Sequence, residues 1–321
     1  MAEEICAVVV TYNRENLLIE NVKALLNQTI NLKWIVIVDN ASNDYNNFTK
    51  MFFSRTIESN VCKTVQQKYQ QDLDTILHGK YNEVDLLYVR LKKNKGGAGG
   101  FNIGISIGLE TMCDWFWLLD DDIEPLKNCL EVLCKYRDIS ECIHPRRIFK
   151  DNSEYLWEGG IDIVTGLRYS MDDISFKNGK NFCMVNVGCF EGMLISRRLI
   201  NKIGLPDERF FIVDDDTIYG FMASLYTNIL YVKDAIIIKK IKKPNYELEP
   251  TFIYYYLRNY KLKIQYLNKY FPKYKVVRFI FYLLSIIKFS IRCLRAKRLV
   301  LLKYILKALV DSARNRFGKG L

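Results

Sequence analysis

Histidine is almost missing from this 321-residue chain, which holds only His78 and His144. That scarcity argues against a histidine-rich metal centre and against catalysis built on an imidazole. The nine cysteines form no C-x-x-C pair and keep no regular spacing. They therefore read as reduced, mostly buried thiols of a cytoplasmic protein, not as a disulfide framework or zinc site. Acidic residues are missing from one end. From Thr251 to Leu321 there are 17 Lys/Arg and one acid, Asp311, whereas the preceding 250 residues hold 30 basic and 35 acidic residues. The net charge of +11 thus joins a slightly acidic body to a strongly basic tail. Long apolar runs are also lacking in that tail. The longest uncharged stretch, Phe279 to Ile287, is nine residues, and a bilayer span needs about 20. The opening Met1-Ala-Glu-Glu is acidic and predicts no secretory leader.

What is present has the pattern of an α/β protein. Half of the residues are hydrophobic, enough for a large domain, or a domain with an appendage. Ile5 to Tyr12 is a β-branched run suited to a strand buried on both faces. Glu15 to Gln28 has helical spacing, and Trp34 to Asp39 is a second buried strand. This β-α-β unit implies a parallel sheet with a right-handed crossover. Ligands of such sheets bind beyond the carboxyl ends of the strands, where Thr11, Asn13, Arg14 and Asp39 fall. Asp39 could accept from a base N–H or a ribose hydroxyl, or it could cap a turn. Tyr45 to Asn82 is polar and reads as connection and helix.

Leu86 to Pro125 is the stretch around which the rest is arranged. A strand ending at Leu91 leads into a loop with Gly96, Gly97, Gly99, Gly100 and Gly104, then a helix from Phe101 to Met112. Glycines let a backbone approach a ligand closely, and the first N–H groups of that helix could face anionic groups. Trp115 to Leu119 then ends on Asp120, Asp121 and Asp122. Three adjacent carboxylates at a strand exit repel one another, and a divalent cation with oxygen ligands, Mg or Mn, would make them tolerable. Phosphate plus metal implies a nucleotide or nucleotide sugar.

The second half reads as a helix from Pro125 to about Asp138, then turn signals at Trp157-Glu-Gly-Gly160, Thr165-Gly166 and Lys177-Asn-Gly-Lys180. A strand from Val185 to Ser196 and a helix from Arg197 closed by Gly204 follow. A second carboxylate triplet, Asp214 to Asp216, precedes a helix from Thr217 to Tyr226, and Tyr231 to Lys240 is the last strand. Two acidic clusters, each at the end of an apolar run, invite a division of labour in which one binds metal and the other supplies a general base.

The order of Val-Val-Thr-Tyr-Asn-Arg, Val-Asp39-Asn-Ala-Ser, Asn94 with its glycine loop, Leu-Leu-Asp-Asp-Asp and Phe-Phe-Ile-Val-Asp-Asp-Asp resembles family 2 glycosyltransferases with the GT-A fold. It looks most like the subgroup containing galactofuranosyltransferases and some rhamnosyltransferases. The resemblance covers residues 5 to about 240. It implies a Rossmann-like, mostly parallel sheet flanked by helices, and inverting transfer from a nucleoside-diphosphate sugar to a hydroxyl. Carried over by position, Thr11, Asn13, Arg14 and Asp39 would hold the nucleoside. Asn94, Gly97 and Asp121 would line the donor site. Asp120 and Asp122 would bind the diphosphate through Mn or Mg. Asp216 would be the base and Asp215 its acidic neighbour. Trp157, Gly159 and Gly160 would sit near the acceptor. The chain departs from that family twice. Many relatives carry a metal-binding histidine where Lys239 stands; a lysine could itself contact the diphosphate, so full metal dependence is in doubt. Relatives often carry arginine where Met222 follows the base, which weakens the mapping of the acceptor site.

The expected division is a glycosyltransferase domain over 1–245 and a basic helical region over 246–321. Lys275 to Val310 reads as one or two helices broken near Cys293 to Lys297. Arg278, Lys288, Arg292, Arg295, Arg298, Lys303 and Lys307 share about half the circumference at 100° per residue. A basic amphipathic helix too short to span suits an anionic membrane surface; packing on the body or on a partner subunit is the other use. Too much aliphatic surface interrupts the basic residues for nucleic acid. The expected partners are a UDP- or dTDP-sugar donor, a glycan or polyprenyl-linked acceptor of surface polysaccharide synthesis, the inner face of the cell membrane and, optionally, a second copy of the chain. A sugar-1-phosphate nucleotidyltransferase or a non-catalytic carbohydrate-binding scaffold are the alternatives. The first usually opens on a glycine-rich basic loop, which Val-Thr-Tyr-Asn-Arg is not.

Overall fold

The computed structural model describes residues 3–153, 159–170, 176, 179–242 and 246–321. The first half runs β1 (Ile5–Thr11), α1 (Glu15–Leu26), β2 (Trp34–Asp39), α2 (Asn46–Phe52), α3 (Asn60–Tyr69), β3 (Leu73–Tyr81), β4 (Val84–Leu91), α4 (Gly96–Leu109) and β5 (Trp115–Asp120). Then come β6 (Ile123–Pro125), α5 (Cys129–Cys134), β7 (Cys142–Phe149), β8 (Gly159–Ile161), β9 (Arg168–Ser170), β10 (Phe182–Val185), β11 (Met193–Ser196), α6 (Arg197–Ile203), α7 (Asp215–Ser224) and β12 (Ile229–Lys239). The tail is α8 (Pro250–Tyr270), α9 (Lys275–Arg295) and α10 (Leu302–Ala313).

Among the described residues the main sheet has the order β3-β4-β2-β1-β5-β11-β7-β12-β10, with β6 also on β12. β4, β2, β1 and β5 are parallel, as the β-α-β reading requires. β11 inserts antiparallel between β5 and β7, and β12 lies parallel to β7. Alternate residues of β1, β2 and β5 face opposite ways. Ala7, Val9, Ile37 and Trp117 pack toward α1 and α5; Val8, Val10, Val38 and Phe116 pack toward α4 and α7. Both faces are therefore buried, which is why the strands read as continuous apolar runs. The register sets Thr11 beside Asp39 and Val10 beside Asp120. The carboxyl ends of three strands thus finish on one line.

Four sequence expectations change. The glycine stretch is not a loop before the helix: α4 begins at Gly96, inside it. A Cβ on Gly100 would stand 2.5 Å from the Val10 side chain, and one on Gly104 2.5 Å from Val8. These glycines let the helix lie directly on β1, a packing role that local sequence cannot distinguish from ligand approach. Tyr45 to Asn82 holds a strand, β3, turned onto β4 through the positive-φ Asn82. The helix after Pro125 is only α5, because Ile123–Pro125 pairs with β12. Val185 to Ser196 is two strands, β10 and β11, separated by a loop carrying Glu191. The helix closed by Gly204, with φ +80, is as expected.

The tail breaks after Arg295, within the expected segment. Its helices pack on the body: Phe211 shares an apolar cluster with Ile253, Tyr255, Phe289 and Ile305. Arg278 does not belong to the basic face. It is fully buried and donates to the Ile163 carbonyl at 2.9 Å. Helical periodicity places it correctly around the axis but does not show that the body covers that arc.

Candidate active site

The carboxyl ends of β1 and β5 deliver Thr11, Arg14 and Asp120 to Asp122 to one place. Asp121 accepts from Thr11 Oγ1 at 2.7 Å and from Arg14 at 3.0 Å. Its oxygens are thus engaged within the protein, bracing the β5 exit against β1. Arg14 also reaches Asp122 at 3.2 Å. Asp39 is 1% exposed and likewise engaged, accepting from the Tyr88 hydroxyl at 2.6 Å and from the Ser42 N–H at 2.8 Å. Asn13 takes φ 54 and bonds to Asn43 and Ser42. Asn94 accepts from the Gly96 N–H at 2.7 Å, and it lines a separate cleft of ≈ 800 Å³ with Tyr12 and Ala41. Gly97 stands beside Asp215, where an added Cβ would lie 3.5 Å from Oδ2.

Sequence reasoning missed Glu191. It extends from the loop before β11 and lies with Asp120 and Asp122 so that one oxygen of each falls within 4.8 Å of the others. Its signal was a carboxylate between two glycines in an otherwise apolar run. Gly192 takes φ +109 and cannot bear a Cβ against Pro145 and Ile237, so the loop must turn there and expose Glu191 inward. Lys239, at the end of β12, places its ammonium 2.7 Å from Asp122 and also on Glu191. Arg147, buried on β7, donates to Glu191 at 2.5 Å and to Cys189 Sγ at 2.8 Å. Burial alone would raise the Glu191 carboxyl, but Lys239 and Arg147 outweigh it and hold it below the usual range. Lys239 is held above its ordinary value, since Glu191, Asp122 and Asp120 outweigh its desolvation. Asp120 is pushed well up by burial and by its carboxylate neighbours, against the pull of Lys239. Three hard oxygen donors at this spacing fit Mg or Mn. Two of the three already share an ammonium.

Facing this group are Asp214, Asp215 and Asp216. Together with Arg14, Asp120, Asp122, Glu191 and Lys239 they line one cavity of ≈ 440 Å³. Asp215 and Asp216 open α7, so the helix N-terminus favours their negative charge. Even so, burial drives both upward, Asp215 strongly; Arg168 and Cys189 partly offset this at Asp216. The segment before them is strained. Phe211, Val213 and Asp214 all take positive φ, at 66, 70 and 68°. For non-glycine residues, and a β-branched valine above all, this costs about 1–3 kcal/mol each.

The acceptor expectations are only partly visible. Trp157 lies outside the described residues. Gly159 and Gly160 are buried in β8 against β9, with Gly160 directly under the Tyr169 ring. A groove of ≈ 480 Å³ runs beside the cavity, sharing Val213, Asp214 and Phe252 with it. It is lined by Arg168 and Tyr169, and by Tyr256, Phe281, Lys288 and Arg292 of α8 and α9. Met222 packs in apolar clusters with Phe221 and Ile218.

A raised carboxylate has a stability signature. A group whose pKa is higher folded than unfolded adds stability below its unfolded value and loses it as pH rises toward the folded one. In EDTA, Asp215→Asn should therefore raise Tm over wild type by an amount that grows from pH 4 to pH 8, reaching a few degrees. A gap that stays constant across that range would sink this account of Asp215.

The parallel sheet with acidic clusters at its carboxyl edge defines a class: the chain belongs to glycosyl transferase family 2, whose profile matches residues 6–46 and 63–204. It has the GT-A fold. That membership separates the chain from the sugar-1-phosphate nucleotidyltransferases. The chain is 25% identical over 231 residues to "Galactofuranosyltransferase GlfT1" of Mycolicibacterium smegmatis, covering 67% of this chain and 63% of the relative. It is 24% identical over 237 residues to the protein of that name from Mycobacterium tuberculosis, with the same coverage. The chain thus spans under two thirds of the length of these relatives. Among solved structures, GalNAc-T7 with UDP, GalNAc and Mn2+ superposes at TM-score 0.55 and 15% identity, covering 80% of this chain and 47% of that one. The mannosyltransferase PcManGT of Pyrobaculum calidifontis, with GDP-Man and Mn2+, superposes at 0.52 and 12% identity, covering 98% and 88%. These two structures show likeness of fold.

Proposed function

We propose that the chain is an inverting hexosyltransferase that moves galactofuranose, rhamnose or a similar sugar from a UDP- or dTDP-linked donor to a lipid-linked or polysaccharide acceptor. The observation that carries this reading is the single cavity holding two acidic groups of different surroundings. Asp120, Asp122 and Glu191, crossed by Lys239 and Arg14, suit a diphosphate with Mn or Mg. Asp216, which accepts from the Thr217 N–H at the start of α7 and lines the same cavity, suits a base. Its raised value leaves it able to take a proton. In the reaction Asp216 accepts the proton of the acceptor hydroxyl. The hydroxyl oxygen bonds to the anomeric carbon from the face opposite the diphosphate, whose C–O bond breaks with its electron pair. Lys239 and Arg14 meet the charge that gathers on the leaving group. A bound divalent ion would supply further charge neutralisation there. Thr11, Asn13, Arg14 and Asp39 shape the nucleoside side. Likeness to proteins named galactofuranosyltransferase supports the sugar class. A thermal-shift screen of UDP-, dTDP- and GDP-sugars, with and without Mn, tests donor, base and metal together. Stabilisation by a UDP- or dTDP-sugar is expected, and no shift with any of them would overturn the reading.

Residues 246–321 are proposed to hold this catalytic unit, 1–245, on the inner face of the cell membrane, where polyprenyl-linked acceptors of surface polysaccharides are assembled. No helix among the described residues is long and apolar enough to cross a membrane. α9 instead leaves Val276, Phe279, Ile280, Leu283, Leu284, Ile287, Ile291 and Leu294 exposed. At 100° per residue these fall within about 140° of arc. Lys288 and Arg295 border them on one edge and Lys275 on the other. An apolar stripe edged by cations suits the interface of an anionic bilayer. Leu283→Glu with Ile287→Glu should weaken co-sedimentation with phosphatidylglycerol vesicles at least about tenfold. Binding that survives both changes would leave this face to a protein partner.

A further inference from the structure

The segment that delivers Asp215 and Asp216 is held from outside the family-matched residues. Asn259 of α8 donates its side-chain amide to three carbonyls of this segment, those of Phe210 at 3.0 Å, Ile212 at 2.8 Å and Val213 at 2.9 Å. Arg258, fully buried, donates to the Phe210 carbonyl at 2.9 Å and to Asn259 Oδ1, which fixes which end of the amide faces the segment. One turn further on, Lys263 has no exposed surface and ion-pairs with Asp214 Oδ2 at 3.0 Å. Its ammonium lies between the Tyr256 and Tyr260 rings, 4.9 and 4.3 Å from their centroids. From the opposite side, Ala98 N–H donates to the Phe211 carbonyl at 3.0 Å. Gly96 alone permits that approach, since a Cβ there would meet the Phe211 oxygen at 2.1 Å.

This is more bonding than packing needs. A helix could cover the body with leucines. Here three polar side chains, each buried, are directed at four residues of the segment 210–214, in which three residues take positive φ. Such a backbone persists only where its surroundings over-determine it. A buried lysine aimed at a buried aspartate also cancels one of three adjacent negative charges, leaving the other two at the cavity.

We propose that Arg258, Asn259 and Lys263 are positioning residues: α8 holds 210–214 in its strained path and thereby sets where Asp215 and Asp216 stand. The inference rests on the reading of Asp216 as the base. It assigns α8 to the catalytic unit, whatever α9 does at a membrane.

The test uses the full chain with Asn259→Ser, Lys263→Met and the double variant Lys263→Met/Asp214→Asn. Amide hydrogen exchange at 210–217, UDP binding with Mn, and kinetics of transfer from UDP-galactofuranose are the readouts. Asn259→Ser should speed exchange at 210–217 at least tenfold while the sheet stays protected. It should lower kcat about 10²-fold with KM and UDP affinity within about threefold. The double variant should recover at least about tenfold of the kcat lost in Lys263→Met, because no unpaired buried charge remains. If Lys263→Met does not fold, Asn259→Ser carries the test, since it leaves the buried Lys263–Asp214 pair intact. A lower Tm with unchanged kcat and unchanged exchange at 210–217 overturns the proposal, as does a loss of UDP affinity that parallels kcat. Full activity of Asp216→Asn would instead overturn the base reading, and hydrogen exchange would still decide the clamp.

Discussion

Asp216→Asn should leave the chain folded and able to bind UDP with Mn, yet lower kcat for transfer by about 10³-fold or more. The amide keeps the shape of the carboxylate and can still accept from the Thr217 N–H, a bond of 2.6 Å in the structure. What it loses is the capacity to take a proton. KM for the donor should move little, because the donor-side groups, Asp120, Asp122, Glu191 and Lys239, are untouched. The pH profile supplies a second reading. Burial raises the Asp216 carboxyl despite the pull of Arg168 and Cys189. The acid limb of kcat should therefore lie above the ordinary carboxylate value near 4, with activity rising as pH rises through it. Asp215→Asn should be milder, since Asp215 is assigned as the acidic neighbour of the base and not as the base. Wild-type kcat in Asp216→Asn would remove the residue from the mechanism and return attention to Asp215.

Lys239→Met should produce the second large effect, on stability and metal response together. The change removes the ammonium shared by Asp122 and Glu191, both nearly buried. Breaking a buried ion pair from one side costs about 3–5 kcal/mol. In EDTA, Tm should fall by about 10 °C. Millimolar Mn should restore most of the loss, because a divalent ion can occupy the same group of carboxylates. Lys239→His should shift the balance further toward metal. A neutral imidazole can ligate where a protonated amine cannot, so Mn affinity should rise about tenfold or more over wild type. Wild type itself should keep measurable donor hydrolysis in EDTA, and both variants should lose it. A Tm loss in Lys239→Met that Mn does not repair would show that ammonium and metal do not share the site.

Much of the site was legible in the sequence, and for a physical reason. Thr11, Asp39 and Asp120 each end an apolar run, and parallel strands buried on both faces must finish at a common edge. Adjacent carboxylates at such an edge need a cation, so Asp120 and Asp122 could be singled out without coordinates. Lys239 was legible as an oddity at the end of the last strand. Glu191 was not, because its run reads as one unbroken strand until packing against β7 and β12 forces the turn at Gly192. The glycines of α4 were visible, but local sequence cannot tell a helix that must lie on Val8 and Val10 from a loop that must reach a ligand. Arg278 illustrates the same limit in the tail: its place on the helical wheel is a matter of spacing, its burial a matter of what lies opposite.

By itself, then, the sequence determined the β-α-β order, the two acidic groups and the change of charge at the tail, all of which follow from local periodicity and composition. Only the tertiary structure decided which cation answers which carboxylate. Lys239 meets Asp122 across 117 positions of chain, and Lys263 meets Asp214 from a helix beyond the matched family residues. Charge pairing depends on distance in space, and in a parallel sheet that distance is set by crossovers and packing that no local pattern records.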